Sequence, residues 1–371
     1  MQESDLPGLT ALVLWAAFAL AVAFGAIVQR THFCTMGAVA DIVNLGDWTR
    51  MRMWVLAIAV AILGFNGMVA AGWIEAADSI YADPALLWLS NIVGGLLFGV
   101  GMVLASGCGS KTLVRLGGGN LKSLVVLLVM AVAAYATMRG VVAVARVVTL
   151  DRVSLALPAG QDLPSLLAHA TGASRRSLAL WLGGGLGLLL MAWVLWRPEG
   201  RTGNVLLAGL GLGAVIVGVW WVSGRLGYLP EHPLTLEASF LGTNSRRMES
   251  LSFVAPVAYT MDWLILFSDA SRVLTLGIVA ALGTVLGSAA AALLAGSFRW
   301  EAFAGVEDMA NHLAGAVLMG VGGVTAMGCT IGQGLSGVST LALGSFLALG
   351  GILAGGVIGV RYQAWRVERS L

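Results

Sequence analysis

The sequence predicts an all-α polytopic membrane protein of about nine transmembrane helices. Three observations carry that reading. Charged residues make up 11% of the 371 and hydrophobic residues 58%, whereas an ordinary soluble domain is about 25% charged. The mean hydropathy is +0.89, which is more apolar side chain than a soluble fold of this length can cover. Glycine occurs 51 times. In lipid-embedded helices that density marks close backbone contacts or broken helices.

The apolar runs fall near 9–28, 52–74, 86–106, 121–142, 177–196, 203–223, 272–295, 309–327 and 338–360. Each is close to the roughly 20 residues a helix needs to cross a bilayer. The first follows MQESDLPG, which is acidic where a secretory signal is basic, so that run is expected to stay as a membrane helix. Segments 31–45 and 250–267 are too short or too interrupted to cross. Together with the glycine-rich stretches after Cys108 and Cys329, they read as re-entrant or unwound pieces. Such pieces are tolerated only where protein or water covers them. Basic residues set the orientation. Arg30, Arg50 and Arg52, then Lys111, Arg115 and Lys122, then Arg197 and Arg201, and finally Arg361, Arg366 and Arg369 fall on one side if the N-terminus is outside and the C-terminus is cytoplasmic. Loops 143–176 and 224–271 hold arginines on the other side, where long loops obey the rule poorly; the first is expected to include a short surface helix. The arginines form no basic stripe, which argues against nucleic-acid binding.

An internal repeat is visible. Asn91–Cys108 (NIVGGLLFGVGMVLASGC) aligns without gaps on His312–Cys329 (HLAGAVLMGVGGVTAMGC), an offset of 221 residues, 329 minus 108. Gly94/Gly315, Gly99/Gly320, Val100/Val321, Gly101/Gly322, Gly107/Gly328 and Cys108/Cys329 are identical pairs. Asp47 and Arg50 match Asp269 and Arg272 at offset 222, and Phe33 matches Phe253 at 220, which sets Cys34 opposite Val254. The single membrane domain 1–371 then divides into a first repeat (1–145), a linker loop plus one span (146–200) and a second repeat (201–371). Four spans plus one linking span is an odd number, so the second repeat is expected upside down. That is a common plan for secondary transporters, with the path at the pseudo-two-fold axis. The four broken segments should meet near the midplane.

All three cysteines sit at these breaks: Cys34 in QRTHFCTMGAV, Cys108 in ASGCGSKT and Cys329 in AMGCTIGQG. Cysteine also buries well as a small hydrophobe, but three of three at breaks favours function. Gly107 and Gly109 flank Cys108, and Gly328 precedes Cys329; glycine lets the backbone turn and a ligand approach. A helix starting after each break would aim its N–H groups at one spot, which suits an anion. A thiolate would bind soft metal or attack disulfides, whereas a neutral thiol is a weak donor and a soft contact. Met36, Met102 and Met327 lie nearby, in apolar stretches where methionine usually fills gaps. Neither a metal nor a cofactor is expected, and donation to a sulfur-bearing anion fits best. His32 is a proton-relay or interface candidate. Lys111 either attracts an anion or simply follows the positive-inside rule. Gln333, repeat mate of Thr112, is placed to donate near Cys329 and Thr330.

At the repeated GxGxxxAxGC pattern (Gly99–Cys108, Gly320–Cys329) and the His32–Cys34 HFC, the sequence resembles the YeeE/YedE family over nearly its whole length. These are bacterial inner-membrane sulfur-transport proteins, best understood as thiosulfate importers. The resemblance implies a non-enzymatic permease whose functional cysteines map onto Cys34, Cys108 and Cys329. It also implies a thiosulfate path of transient S–H contacts and frequent cooperation with a TusA-type cytoplasmic sulfur carrier. The alternatives are a transporter of another sulfur or selenium species and a membrane thiol oxidoreductase.

Overall fold

The computed structural model describes residues 6–233 and 236–370. The first half runs α1 (Leu6–Thr31), α2 (Thr35–Leu45), α3 (Thr49–Ala70), α4 (Trp88–Leu104), α5 (Gly109–Gly117) and α6 (Leu121–Arg139). The connection holds α7 (Val141–Val148), α8 (Leu163–Thr171) and α9 (Arg175–Leu178), then a π-turn into α10 (Gly184–Trp196). The second half runs α11 (Gly203–Trp221), α12 (Val254–Ile265), α13 (Leu276–Leu294), α14 (Val306–Thr325) and α15 (Leu343–Ser370). Two antiparallel clips, Ala85–Leu86 with Leu155–Ala156 and Tyr228–Leu229 with Ser239–Phe240, tie down the long loops.

Among the described residues, eight helical stretches are long and apolar enough to cross a membrane. The ninth expected run is also a helix, α14, but its first turns carry Glu307, Asp308, Asn311 and His312. Those polar residues keep it below the apolarity of the other eight, although it packs between α4 and α6. The 143–176 loop holds one short helix, α8, and most of another, α7, where one was expected.

Lipid is as apolar as leucine, so helices in a bilayer associate through close packing of small residues. The α4–α14 crossing is built that way. A β-carbon on Gly94 would stand 2.4 Å from the Ala326 nitrogen, and one on Gly322 would stand 2.5 Å from the Phe98 nitrogen. Gly101 and Gly315 meet likewise, each within 2.8 Å of the other's carbonyl oxygen. The early residues of α4 thus meet the late residues of α14, so the two helices run antiparallel. Gly94 and Gly315 are repeat mates, as are Gly101 and Gly322, so the contact is reciprocal in the manner of a two-fold interface. Other packings exchange in the same way: α1 lies on α13 and α11 on α3, while α4 lies on α15 and α14 on α6.

Candidate functional site

Each cysteine stands at the start of a short helix. Cys34 caps α2 with extended backbone, and its Sγ accepts the Gly37 N–H at 3.4 Å. Cys108 precedes α5, with Sγ 3.2 Å from Ser110 Oγ. Cys329 precedes a helix over residues 330–339 and accepts the Gly332 N–H at 3.4 Å. All three are free, buried thiols.

The chain reaches the second and third cysteines through the same turn. At the end of α4, the N–H groups of Ala105, Ser106 and Gly107 donate to Gly101, Val103 and Met102 at 2.9, 3.1 and 2.8 Å. At the end of α14, Ala326, Met327 and Gly328 donate to Gly322, Val324 and Gly323 at 2.8, 3.0 and 2.8 Å. The left-handed residue of each turn is Ser106 (φ 56°) or Met327 (φ 58°), and His32 (φ 54°) holds the same place two residues before Cys34. A side chain in that region costs about 1–3 kcal/mol and persists only where the surroundings hold it. The sequence reading put the turning role on Gly107 and Gly328, but the structure puts it one residue earlier. Those glycines supply space instead: a β-carbon on Gly328 would lie 3.0 Å from Gln333 Cγ, and one on Gly107 3.3 Å from Lys111 Cγ. Gly109 has only ordinary contact, with Met130 at 3.5 Å.

The third helix contains a π-bulge over Gly332–Gly337. A π-bulge inserts one residue into an α-helix. The repeat offset accordingly grows to 222, 343 minus 121, at the starts of α15 and α6.

The site residues fall into three groups. His32, Cys34 and Lys111 line a polar cavity of about 440 Å³ together with Arg50, Arg115, Arg299 and Glu301. His32 is exposed there and Lys111 half-buried. Cys108, between Gly107 and Gly109, is buried at the start of α5, the helix that carries Lys111 and Arg115 into this mouth. Cys329, Gly328, Thr330 and Gln333 form the far end. There the Phe253 N–H, at the start of α12, also points at Cys329 Sγ. Phe253 Cβ stands 3.9 Å from a β-carbon built on Gly109, so the α12 start meets two of the cysteine-bearing breaks.

The far end is closed. Cys329 and Thr330 are 0% exposed. The Tyr81 hydroxyl donates to the Gly332 carbonyl at 2.6 Å, and Ser336 Oγ donates to Leu251 O at 2.7 Å. Thr35 Oγ1 and Thr330 Oγ1, each one residue past a cysteine, are buried without a hydrogen-bond partner. A second cavity of about 300 Å³, lined by Glu249, Ser252, Tyr259, Met327 and Gly328, lies just beyond. Burial lifts the Glu249 carboxyl to about 7, against hydrogen bonds from Ser245 and the Asn244 N–H that pull it down.

Ser110, Tyr81, Phe253 and Arg299 escaped the sequence reading. Ser110 was within reach of it, two residues past a cysteine. Phe253 is the repeat mate of Phe33, but its role is carried by a backbone N–H that any residue supplies. Tyr81 and Arg299 sit in irregular loops, and only tertiary packing brings them to the path.

A family model described as sulphur transport matches residues 30–358. The chain is similar to the thiosulfate transporter TsuA of Escherichia coli (strain K12), 28% identical over 318 residues covering 84% of this chain and 83% of that one. It is similar to the thiosulfate transporter TsuA of Spirochaeta thermophila, 27% identical over 348 residues, 91% and 94% of the two chains. The probable transporter YedE of Escherichia coli (strain K12) is 30% identical over 97 residues, 26% of this chain and 22% of that one.

Proposed function

We propose, for a chain that belongs to the sulphur-transport (YeeE/YedE) family, that the protein is a permease importing thiosulfate across the bacterial inner membrane along Cys329, Cys108 and Cys34 in turn. Its similarity to two thiosulfate transporters over more than four-fifths of the chain supports a sulfur anion as the substrate. The observation that supports the path is the placement of every cysteine at the start of a short helix, with Cys34 lining a basic cavity.

The chemistry follows from the donors. Cys34 and Cys329 each accept a backbone N–H, which leaves the S–H proton of each thiol free to donate to an anion. The half-helix N–H groups add positive potential without a fixed cation. Selective conduction needs binding tight enough to strip water and weak enough to release, and a row of weak thiol donors meets both demands. No covalent step is required, so the protein acts as a carrier and not as an enzyme. The antiparallel, reciprocal α4–α14 contact supports two inverted repeats, 1–145 and 201–371, related by an axis between those helices. With the N-terminus outside and the C-terminus cytoplasmic, the basic mouth of Arg50, Lys111, Arg115 and Arg299 faces the cytoplasm. A TusA-type sulfur carrier would collect its cargo there.

Growth of a bacterium lacking other importers on thiosulfate as sole sulfur source, with this protein supplied, tests the substrate. No growth at normal expression would refute it. Reporter fusions within 75–85 and after Val360 should give opposite signals; equal signals would overturn the orientation.

A further inference from the structure

The two repeats build matching cavities around the starts of α6 and α15. The Leu121 N–H donates to Glu301 O at 2.8 Å, and its mate Leu343 donates to Gln161 O at 3.0 Å. Beside the first bond lies a cavity of about 230 Å³ lined by Thr112, Lys122, Ser123, Asp308 and His312. Beside the second lies one of about 20 Å³ whose lining includes the mates of all five: Gln333, Gly344, Ser345, Leu87 and Asn91.

The difference is a cation. In the first cavity the Lys122 ammonium sits 3.2 Å from Asp308 and 3.6 Å from Glu301. In the second, Gly344 stands in the lysine's place, and Leu87 in that of Asp308. What surrounds the position is a set of neutral oxygens. Asn91 Oδ1, Gln333 Oε1 and Ser345 Oγ are all buried and have no hydrogen-bond partner, on residues 4%, 2% and 1% exposed. Gln333 Nε2 donates to Ala326 O, which turns Oε1 away from that bond. Gln161 Nε2 donates to Asp83 O, and its Oε1 comes within 2.8 Å of a β-carbon built on Gly344, as does Asn91 Nδ2. A β-carbon on Gly337 would likewise strike both Ser345 Oγ and Gln333 Oε1, within 2.8 Å.

Buried oxygens without partners are costly, by about 1–3 kcal/mol each, so the site calls for an occupant. The cavity volume suits one small particle. A water molecule has two protons to donate, whereas a small monovalent cation engages several oxygens at once. The lining carries no carboxylate, which disfavours a divalent ion, since those are held by carboxylates. Neutral oxygens beside a broken membrane helix are the setting in which transporters hold sodium.

We propose that Asn91, Gln333 and Ser345 hold one sodium ion, a free counterpart of the tethered Lys122 ammonium in the other repeat. Gln333 lies on the helix that Cys329 begins, so the ion would place positive charge behind the first thiol an incoming anion meets. Coupling of sodium to thiosulfate rests on the transport reading above; the binding site does not.

Equilibrium binding of radioactive sodium to the purified full-length protein, without thiosulfate, tests the site. The expected result is about one ion bound per chain, displaced by unlabelled sodium chloride but not by potassium or choline chloride at equal ionic strength. Gln333→Leu should abolish this binding, and the milder Ser345→Ala should weaken it at least severalfold if Gln333→Leu fails to fold. Lys122→Met should leave it intact. Absence of sodium-specific binding in the unaltered protein would mean that the cavity holds water only and would overturn the proposal. So would unchanged binding in a folded Gln333→Leu or Ser345→Ala protein. Sodium binding without thiosulfate uptake in the same preparation would uphold the site and overturn the transport reading.

Discussion

The Cys108 and Cys329 regions share a backbone and differ in almost everything attached to it. Both have the same three-bond helix ending, a left-handed residue at the same place (Ser106 or Met327) and a cysteine two residues later. Yet the helix that Cys108 begins carries Lys111 and Arg115 into a cavity of about 440 Å³ that Arg50 and Arg299 also wall. Cys329 is shut under Tyr81 and Ser336, with unpaired neutral oxygens on the helix behind it. In the proposed inverted-repeat arrangement, half-helix N-termini enter from both directions. The side chains make one end open and basic and the other closed.

The largest effect should come from breaking what relates the two regions. Gly322→Val would drive side-chain carbons into the Phe98 nitrogen and the Gly94 carbonyl, and backbone there has no room to retreat. No monodisperse protein should be recovered from the membrane by size-exclusion chromatography. Gly350→Ala, with nothing within 4 Å of its β-carbon, should behave as wild type. Equal recovery of Gly322→Val would mean that the α4–α14 crossing does not hold the halves together.

The next prediction sharpens the contrast between open and closed ends. Tyr81→Phe removes the donor on Gly332 O, which costs about 1 kcal/mol and loosens the lid. A small water-soluble thiol reagent should label Cys34, at 8% exposure, before Cys329, at 0%. In the Phe variant, labelling of Cys329 should rise severalfold and that of Cys34 should not change. Unaltered Cys329 labelling would show that Tyr81 does not close that end.

A smaller effect is expected beyond the closed end. Burial raises the Glu249 carboxyl from its ordinary 4.5 to about 7, so the folded protein holds this proton more tightly than the unfolded chain. The stability gained is complete below about pH 4.5 and is lost as pH rises through about 7. The melting temperature should therefore fall across that window. Glu249→Gln should remove the fall, raising the melting temperature mainly above neutrality. A pH profile that is unchanged in the variant would contradict this.

How much of this was readable beforehand follows from what each feature depends on. The spans, the repeat and the three breaks are carried by composition and spacing, so Cys34, Cys108 and Cys329 stood out. The left-handed turns at His32, Ser106 and Met327 did not, because side chains disfavour that conformation and the adjacent glycines drew the expectation. Nor was α14 fully anticipated, since Glu307, Asp308 and His312 make its first turns polar. Asp308 there pairs with Lys122 across the repeat interface. Tyr81 and Glu249 were invisible, because a loop residue becomes part of a site only through the helices it is folded against. The step from offset 221 to 222 needed the π-bulge at Gly332–Gly337 to explain it.

The smallest effect should be electrostatic gathering at the open end. Lys111→Ala should reduce uptake at low ionic strength and matter little at physiological salt, where the screening length falls to about 8 Å. An equal loss at both salt levels would place Lys111 in direct contact with the anion.

The central claim is that the thiols are the path. Thiosulfate uptake by cells expressing the Cys108→Ala, Cys329→Ala double variant, matched to wild type for folded protein in the membrane, tests it most directly. Uptake should fall to near background, with each single variant close behind and Cys34→Ala impaired less, because Val254 occupies the matching position in the other repeat. Normal uptake by the double variant would reduce these cysteines to core packing and remove the proposed mechanism.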